Sequence, residues 1–248
     1  MTPIYIKTPE EIVLMRESGR ILQKVLNATC ARAKMGVTTR ELDIFAESMI
    51  RDLGGEPSFK GYHGYPAALC TSVNEQVVHA IPSDYALKSG DIVGIDAGVY
   101  YRGFHTDACK TVIIGSAPPE VRFFVRVTKE ALDQAIKQIK AGVAVGDISA
   151  AIQRVLERQG YSPVIECTGH GVGRQLHEEP DICNAGQRGT GPQLRAGMTI
   201  AIEPISAMGS GGIETLSDGW TIITRDRSLS AHFEHTVLVT ETGAEILA

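Results

Sequence analysis

Apolar positions with a helical period open the chain and predict two helices. Thr8-Pro9-Glu10-Glu11 has an N-cap threonine, a proline at the first helical position and a glutamate that can close a capping box. A helix is therefore expected from about residue 9 to 31, with its apolar face at Ile12, Met15, Ile21, Leu22 and Val25. Thr38-Thr39-Arg40-Glu41 repeats the capping signature, and Gly54-Gly55 is expected to end the second helix.

Short apolar runs predict strands after each pair of helices. The first set lies at about 67–81, 92–100 and 105–115. A third helix is expected from Pro118-Pro119 to Gly142, and a fourth from Gly146 to Gly160. Further strands are predicted around 164–168, 198–203, 219–224 and 232–240.

This repeated order of two helices followed by strands predicts an α+β fold. We expect one domain over residues 1–248, built from two related halves at about 4–116 and 117–246. The halves are expected to share a mainly antiparallel sheet with helices on one side.

Composition and charge narrow the functional classes. The chain has 248 residues, 43% of them hydrophobic, which is enough for one large core or for two fused halves. Its formal net charge of -5 offers no basic surface, so a nucleic-acid substrate is not expected. No signal-peptide core and no run of about 18 apolar residues is present, so no membrane association is expected. Five scattered cysteines without C-x-x-C spacing indicate reduced thiols and a cytoplasmic location.

Two aspartates lie on the arms of a predicted β-hairpin. If the chain reverses between Tyr101 and Arg102, Asp96 and Asp107 are directly opposed. Opposed residues have Cβ atoms about 4.5 to 5.5 Å apart, and like charges there repel. The alternative of two solvated carboxylates is less favoured, because both arms are rich in apolar residues. We therefore expect a cation between the two aspartates.

The second half places further polar residues where solvated side chains are unusual. His170 lies among three glycines, and Glu203 and Glu234 lie in apolar strand-like runs. Four unpaired buried carboxylates, each costing several kcal/mol, could not be tolerated in a protein whose total stability is about 5 to 15 kcal/mol. A site for two divalent ions explains the whole set, with the ligands Asp96, Asp107, His170, Glu203 and Glu234.

The ligand types indicate the metals and the chemistry. Carboxylates with one imidazole favour Mn, Fe(II), Co or Zn over a thiolate-type site. Such a centre hydrolyses a carbonyl compound through a bridging water that loses its proton near neutral pH. Glu203 is expected to act as a ligand and as the local proton acceptor.

These residues and several short strings resemble type I methionine aminopeptidases from about residue 4 to 246. The matching strings are Gly61-Tyr-His-Gly-Tyr-Pro66, His79-Ala-Ile-Pro82, Ile95-Asp-Ala-Gly98, Gly169-His-Gly-Val-Gly173, His177-Glu-Glu-Pro180 and Glu203-Pro204. The resemblance implies the pita-bread fold and removal of the initiator methionine from nascent proteins when the second residue is small. It also implies that Asp96 holds one ion, that Asp107 and Glu234 bridge, and that His170 and Glu203 complete the other ion's shell.

The same resemblance assigns substrate contacts. His79 and His177 are expected to stabilise the scissile amide and the developing oxyanion, although a structural core histidine is the alternative for His79. The residues expected to line the cleft and the methionine pocket are His63, Phe59, Tyr62, Tyr65, Cys70, Leu176 and Trp220. Phe59 and Leu176 depart from the common pattern, which has a cysteine and an aromatic residue there. The remaining histidines, His105, His232 and His235, are interpreted as structural.

Other readings and partners stay open from the sequence. Xaa-Pro aminopeptidases and dipeptidases share the fold and ligands but typically carry an extra N-terminal domain, and a non-enzymatic binding relative would be expected to lack ligands. The resemblance further implies a monovalent cation near Asn74, Gln76 and Ser230. The short N-terminus indicates the minimal form, expected to be a monomer that contacts the ribosome through the body of the domain.

Overall fold

The computed structural model describes residues 4–248, and the predicted helix starts are confirmed within that range. The helices are α1 (Pro9–Arg32), α2 (Thr39–Asp52), α3 (Pro119–Ile136) and α4 (Val145–Arg158). Both predicted capping boxes close, because the Glu11 and Glu41 side chains bond back to the N-cap residues Thr8 and Thr38. Among the described residues, no helix combines the length and the apolar character needed to cross a bilayer.

The third helix ends six residues earlier than the predicted end at Gly142. After Ile136 the chain turns, with the N–H groups of Gln138 and Ile139 donating to the carbonyls of Ala135 and Ile136. The N–H groups at 141 and 142 then donate to Thr240 and Leu194 on neighbouring segments, at 3.0 and 2.8 Å. Tertiary partners for these backbone groups therefore replace the helical ones.

The strands are shorter and more numerous than predicted. Their bounds are β1 (Glu56–Pro57), β2 (Leu69–Val73), β3 (Gln76–Val78), β4 (Ile92–Tyr101), β5 (Phe104–Ile113), β6 (Ser162–Pro163), β7 (Thr168–Gly171), β8 (Glu178–Cys183), β9 (Thr199–Ile202), β10 (Ile205–Ala207), β11 (Ile213–Thr215), β12 (Ile222–Thr224), β13 (Ser230–His232), β14 (His235–Val239) and β15 (Ala244–Ile246). The run predicted at 67–81 is divided into β2 and β3 by a left-handed residue, Asn74. The strand predicted around 164–168 lies instead at β7. Gly169 allows β7 to approach β9 closely, because a Cβ at this position would clash with the Ala201 carbonyl oxygen.

Within residues 4–248 the predicted shared sheet is divided into four hydrogen-bonded sheets, whose strand pairs are antiparallel. In the first half β4 pairs with β1, β2 and β5, and in the second half the order is β15-β14-β9-β7-β8. Strands from before and after residue 117 meet where β5 lies beside β14, and also where β3 pairs with β12. Between β5 and β14 the Asp107 N–H donates to the Thr236 hydroxyl at 2.9 Å, and the Glu234 N–H donates to the Cys109 carbonyl at 2.9 Å. This seam brings Asp107 and Glu234 together.

Two large buried clusters lie among the described residues, one formed mainly before residue 117 and one mainly after it. In the first, Leu22, Leu42 and Ile50 of α1 and α2 pack on Ile95 and Val99 of β4. In the second, α3 and α4 cover β9 and β14. The predicted order of two helices followed by strands, stated twice, and the α+β class are thus confirmed. The division into halves at 4–116 and 117–246 of one domain stays a prediction, and its residues 1–3 lie outside the described range.

Candidate metal and substrate site

The β4–β5 hairpin has a different register from the predicted one. Asp96 pairs with Cys109 and Asp107 pairs with Gly98, so the two aspartates are diagonal neighbours and the predicted direct opposition is wrong. The reason is the turn: Arg102 and Gly103 both have positive φ, 49° and 95°, as a two-residue type I′ turn requires. Because side chains alternate with a period of two, the aspartates still share one face of the hairpin.

The five predicted metal ligands come together on that face. Ligand atoms of Asp107, His170 and Glu234 all lie within 4.8 Å of one another. Glu203 follows β9, and its Oε1 lies 3.6 Å from His170 Nε2. Asp96 lines the same cleft from β4. The structure therefore places four carboxyl groups and one imidazole in a single buried cluster.

Burial dominates the electrostatics of the carboxyl groups. It raises the pKa of Asp96 to about 7 and the pKa of Glu203 to about 8. Burial first, and then the neighbouring acidic groups, raise the pKa values of Asp107 and Glu234 well above their ordinary range. Since each ionised group disfavours the next, full ionisation of this cluster requires cations inside it.

The surroundings of His170 favour the uncharged imidazole, the form that binds metal. Burial lowers its pKa to about 4. Its Nδ1 lies 2.9 Å from the carbonyl oxygen of the next residue, Gly171. An Nδ1–H that donates to this carbonyl leaves the Nε2 lone pair free and directed at the carboxylate cluster.

The unpartnered polar atoms fit a metal centre. Within residues 4–248, Oδ1 of Asp96, Oδ1 of Asp107 and Oε1 of Glu234 are buried without a hydrogen-bond partner. Buried polar atoms normally have partners, and buried charges are normally paired or bound to metal. An oxygen-rich set with one imidazole suits borderline divalent ions. The residues present therefore fit the divalent ions that the sequence predicted.

A cleft of about 290 Å³ opens over this cluster. Every residue that the sequence assigned to the divalent-metal site or to substrate binding lines it. They are Phe59, Tyr62, His63, Tyr65, Cys70, His79, Asp96, Asp107, His170, Leu176, His177, Glu203, Trp220 and Glu234. Their individual roles stay predictions.

Histidines surround the mouth of the cleft. His79 and His63 both have left-handed backbones, with φ of 58° and 48°, a conformation that collects at functional sites. The His177 ring lies edge-on to His170, with ring centroids 4.3 Å apart. Although His79 and His177 are accessible from the cleft, the surrounding protein desolvates them enough to lower both pKa values, that of His177 to about 3. Both are therefore neutral near pH 7.

An apolar cluster forms one end of the cleft. Phe59, Tyr65, Cys70 and Leu176 are buried there together with Ala67, and Tyr62, Ile81 and Trp220 pack against them. The Tyr65 ring meets the Trp220 ring edge-on at 5.1 Å between centroids, and the Tyr65 hydroxyl donates to backbone carbonyls. A pocket of this composition suits a flexible apolar side chain.

The structural interpretation of His232 omitted a feature of the site. Its Nε2 is buried and has no hydrogen-bond partner among the described residues. The nearest carboxylate oxygens are Glu203 Oε2 at 3.5 Å and Glu234 Oε2 at 3.9 Å. The position of His232 two residues before Glu234 on an extended segment was the available signal, because such residues share a face. By contrast, His105 bonds to Ser58, and His235 to the Ala248 carbonyl. Asn74, Gln76 and Ser230 lie outside the cleft, and the monovalent-cation site stays a prediction.

Comparisons with known proteins agree with this geometry. The model of metallopeptidase family M24 matches residues 13–241. A methionine aminopeptidase from Clostridium perfringens is 47% identical over 244 residues, covering 98% of both chains. The crystal structure of a methionine aminopeptidase from Thermotoga maritima superposes with a TM-score of 0.97 at 45% identity, covering 99% of both chains.

A structure with lower sequence identity shares the fold over only part of its length. Prolidase from Pyrococcus furiosus has a TM-score of 0.81 at 27% identity, and the match covers 98% of this chain but 65% of that one. The predicted pita-bread fold is therefore confirmed, since it is common to both kinds of enzyme. The chain belongs to the methionine aminopeptidases of metallopeptidase family M24.

Proposed function

We propose that this enzyme removes the N-terminal methionine from polypeptides whose second residue is small. The observation that carries the proposal is the junction of the acidic cluster and the apolar pocket in one cleft. The pocket accepts the methionine side chain, while the cluster lies where the peptide bond after methionine would be placed. The substrates are nascent proteins bearing their initiator methionine.

The metal ligands divide their work as follows. Asp96 would hold one ion, His170 and Glu203 would hold the other, and Asp107 and Glu234 would be ligands of both. When bound, the ions supply a water of lowered pKa and polarise the scissile carbonyl. Glu203, whose Oε1 lies 3.6 Å from His170 Nε2 in the buried cluster, would accept a proton during hydrolysis.

His79 and His177 would contact the peptide from the wall of the cleft, where the His177 ring packs beside His170. As neutral imidazoles, each can donate one hydrogen bond to the scissile amide and to the oxyanion that develops from it. His63 lines the approach to the cleft. The roles of His79 and His177 are supported by their lowered pKa values, which keep both rings uncharged at neutral pH.

The pocket selects methionine by shape. Phe59 and Leu176 replace the common cysteine and aromatic residue, and both contribute to the same buried cluster as Tyr65 and Cys70. An exchange of a small for a large residue at one position and the reverse at another preserves apolar volume. We therefore propose that the pocket keeps its capacity for methionine while its outline differs. Tyr62 and Trp220 close the side of the pocket.

The natural setting of the enzyme is also part of the proposal. We propose a cytoplasmic monomer that meets nascent chains at the ribosome and uses Mn, Fe(II), Co or Zn. A monovalent cation near Asn74, Gln76 and Ser230 would stabilise the loop between β2 and β3. In the structure the Ser230 N–H already donates to the Asn74 carbonyl at 2.8 Å, which supports a shared structural role for these residues.

A substrate panel distinguishes this proposal from the Xaa-Pro alternative. The purified enzyme with divalent metal is incubated with Met-Ala-Ser, Met-Leu-Ser and Ala-Pro-Ser, and the released amino acid is quantified. We expect release from Met-Ala-Ser, much slower release from Met-Leu-Ser, and none from Ala-Pro-Ser. Preferential cleavage of Ala-Pro-Ser would instead support the Xaa-Pro specificity.

A further inference from the structure

A buried ion pair joins the N-terminal segment to the loop that carries His177. Lys7 Nζ contacts the Glu178 carboxylate directly, and each side chain is 1% exposed. Lys7 lies just before α1, whereas Glu178 directly follows His177. Removing two charges from water costs free energy, so such a pair is weak evidence for added stability.

The ion pair contacts the backbone of the loop at several points. A Glu178 carboxylate oxygen also accepts the Gln175 N–H at 3.1 Å. The Lys7 side chain lies directly on Gly173, where an added Cβ would be 2.7 Å from Nζ. The Gly173 carbonyl accepts the His105 N–H at 2.6 Å, and its N–H donates to the Gln175 carbonyl at 3.0 Å. Lys7 and Glu178 therefore lie at the centre of the turn that precedes His177.

Lys7 is itself held firmly. Its backbone N–H donates to the Gly197 carbonyl at 2.8 Å, and a Cβ on Gly197 would be 2.7 Å from Cγ2 of Ile6. A second, outer ion pair joins the same two segments, with Arg174 Nη2 at 2.7 Å from Glu11 Oε1. Its side chains are 41% and 19% exposed, so it is screened by solvent. The buried pair is thus the contact that can fix the loop.

We propose that the Lys7–Glu178 ion pair is a positioning device that holds His177 against the substrate, an inference that rests on the proposed role of His177. Nδ1 of the His177 ring lies 2.8 Å from the Tyr62 hydroxyl, and the ring packs edge-on to His170. The backbone position of His177 is therefore set by the turn from Gly173 to Glu178. A displacement of about 1 Å at a substrate-contacting group can cost about 100-fold in rate.

The test removes both charges together. The double variant Lys7→Met, Glu178→Met replaces the pair by apolar side chains of similar length, which often preserves stability where loss of one partner does not. In the metal-loaded enzyme we expect kcat for Met-Ala-Ser to fall by about 10- to 100-fold with KM changed less than about threefold. Amide exchange over residues 173–178 should accelerate, and bound metal should stay at the wild-type level. A folded double variant with wild-type kcat and wild-type exchange would overturn the proposal.

A conservative variant and a control complete the design. Glu178→Gln removes one charge but keeps an acceptor for the Gln175 N–H, and it serves if the double variant does not fold; wild-type kcat in this variant also overturns the proposal. Arg174→Gln removes the outer pair between the same segments, and we expect its kcat to stay within about twofold of wild type. If the wild-type enzyme itself releases no methionine, the proposed function fails. If the wild-type enzyme is active and the variants are unaffected, only the proposed role of the ion pair fails.

Discussion

The Nδ1 atom of His177 lies 2.8 Å from the hydroxyl oxygen of Tyr62. His177 belongs to the second half of the chain, and Tyr62 begins a single 3₁₀ turn, Tyr62–Gly64, in the first. Because His177 is neutral near pH 7, it carries one ring proton. A Tyr62 hydroxyl that donates to Nδ1 places that proton on Nε2, where it can be donated to the substrate.

Replacing Tyr62 by phenylalanine tests this tautomer assignment. Tyr62→Phe keeps the aromatic wall of the pocket and removes one hydrogen bond, worth about 1 kcal/mol, so kcat should fall about fivefold with little change in KM. Steady-state kinetics on Met-Ala-Ser provide the measurement. Tyr161→Phe is the control, because Tyr161 packs on Phe124 away from the cleft. Equal kcat values for both variants would show that the contact does not serve catalysis.

The buried carboxyl groups predict an unusual pH dependence for the metal-free protein. Asp96 and Glu203 have folded pKa values of about 7 and 8, above their ordinary values of 3.8 and 4.5. Between pH 6.5 and 8 the folded state therefore binds more protons than the unfolded state, and stability falls as pH rises. His170 and His177 have lowered pKa values, so their effect on stability lies mainly below pH 6.5, outside this window.

Thermal unfolding with and without metal checks this dependence. The chelated protein should lose melting temperature from pH 6.5 to 8, and divalent metal should abolish most of the loss, because bound cations favour the ionised carboxylates. Calorimetry at pH 7 in buffers of different ionisation enthalpy should detect protons released on metal binding. A chelated protein whose melting temperature rises over the same interval would refute the electrostatic description of the cluster.

Asp107 should affect metal binding and metal-free stability in opposite directions. Asp107→Asn removes a ligand, so affinity for Mn or Co should fall more than about 100-fold, since changes outside the ligand shell already cost 10- to 100-fold. The same change relieves repulsion among buried carboxylates, so the metal-free variant should melt higher than metal-free wild type at pH 8. Metal analysis after dialysis and thermal scans provide both numbers. Glu166→Gln, at an exposed carboxylate, is the control; equal metal retention in the two variants would exclude Asp107 as a ligand.

Gly98 should be intolerant of any side chain. A Cβ at this position would lie 2.7 Å from Ser58 Cβ and 2.8 Å from Phe59 Cε1, whereas a Cβ at Gly94 on the same strand would meet nothing closer than 3.8 Å. Gly98→Ala should therefore lose about 1 to 3 kcal/mol of stability in denaturant unfolding, as overpacking does. Gly94→Ala should lose less.

The Phe59 side chain offers a way to relieve that clash. Gly98→Ala should therefore cost less stability in a Phe59→Cys background than in the wild-type background, because the aromatic ring is one of the two crowded groups. An equal cost in both backgrounds would indicate that Ser58 alone sets the limit.

Local sequence signals predicted the helices and the shared face of the aspartates. The capping boxes at Thr8 and Thr38 involve residues three positions apart, so they can be recognised without tertiary information. The shared face of Asp96 and Asp107 depends only on alternation along a strand. The exact pairing was wrong because it depends on which residues occupy the turn, and Arg102 in the left-handed region is not a strong turn signal.

Long-range contacts explain what the sequence did not predict. Two of the four residues of strand β7 are glycines, which have low strand propensity, and the strand forms because β8 and β9 pair with it on either side. The end of α3 depends on acceptors at Thr240 and Leu194. The approach of His232 to Glu203 joins segments about 30 residues apart in sequence, a contact that becomes visible only when β10 and β13 pair.

Metal-dependent release of methionine tests the central claim most directly. The enzyme is stripped with a chelator, reconstituted separately with Mn, Fe(II), Co or Zn, and assayed for free methionine from Met-Ala-Ser. We expect no release from the stripped protein and restored release with at least one of these ions. No release with any of the four would contradict the assignment of the acidic cluster as a catalytic metal centre.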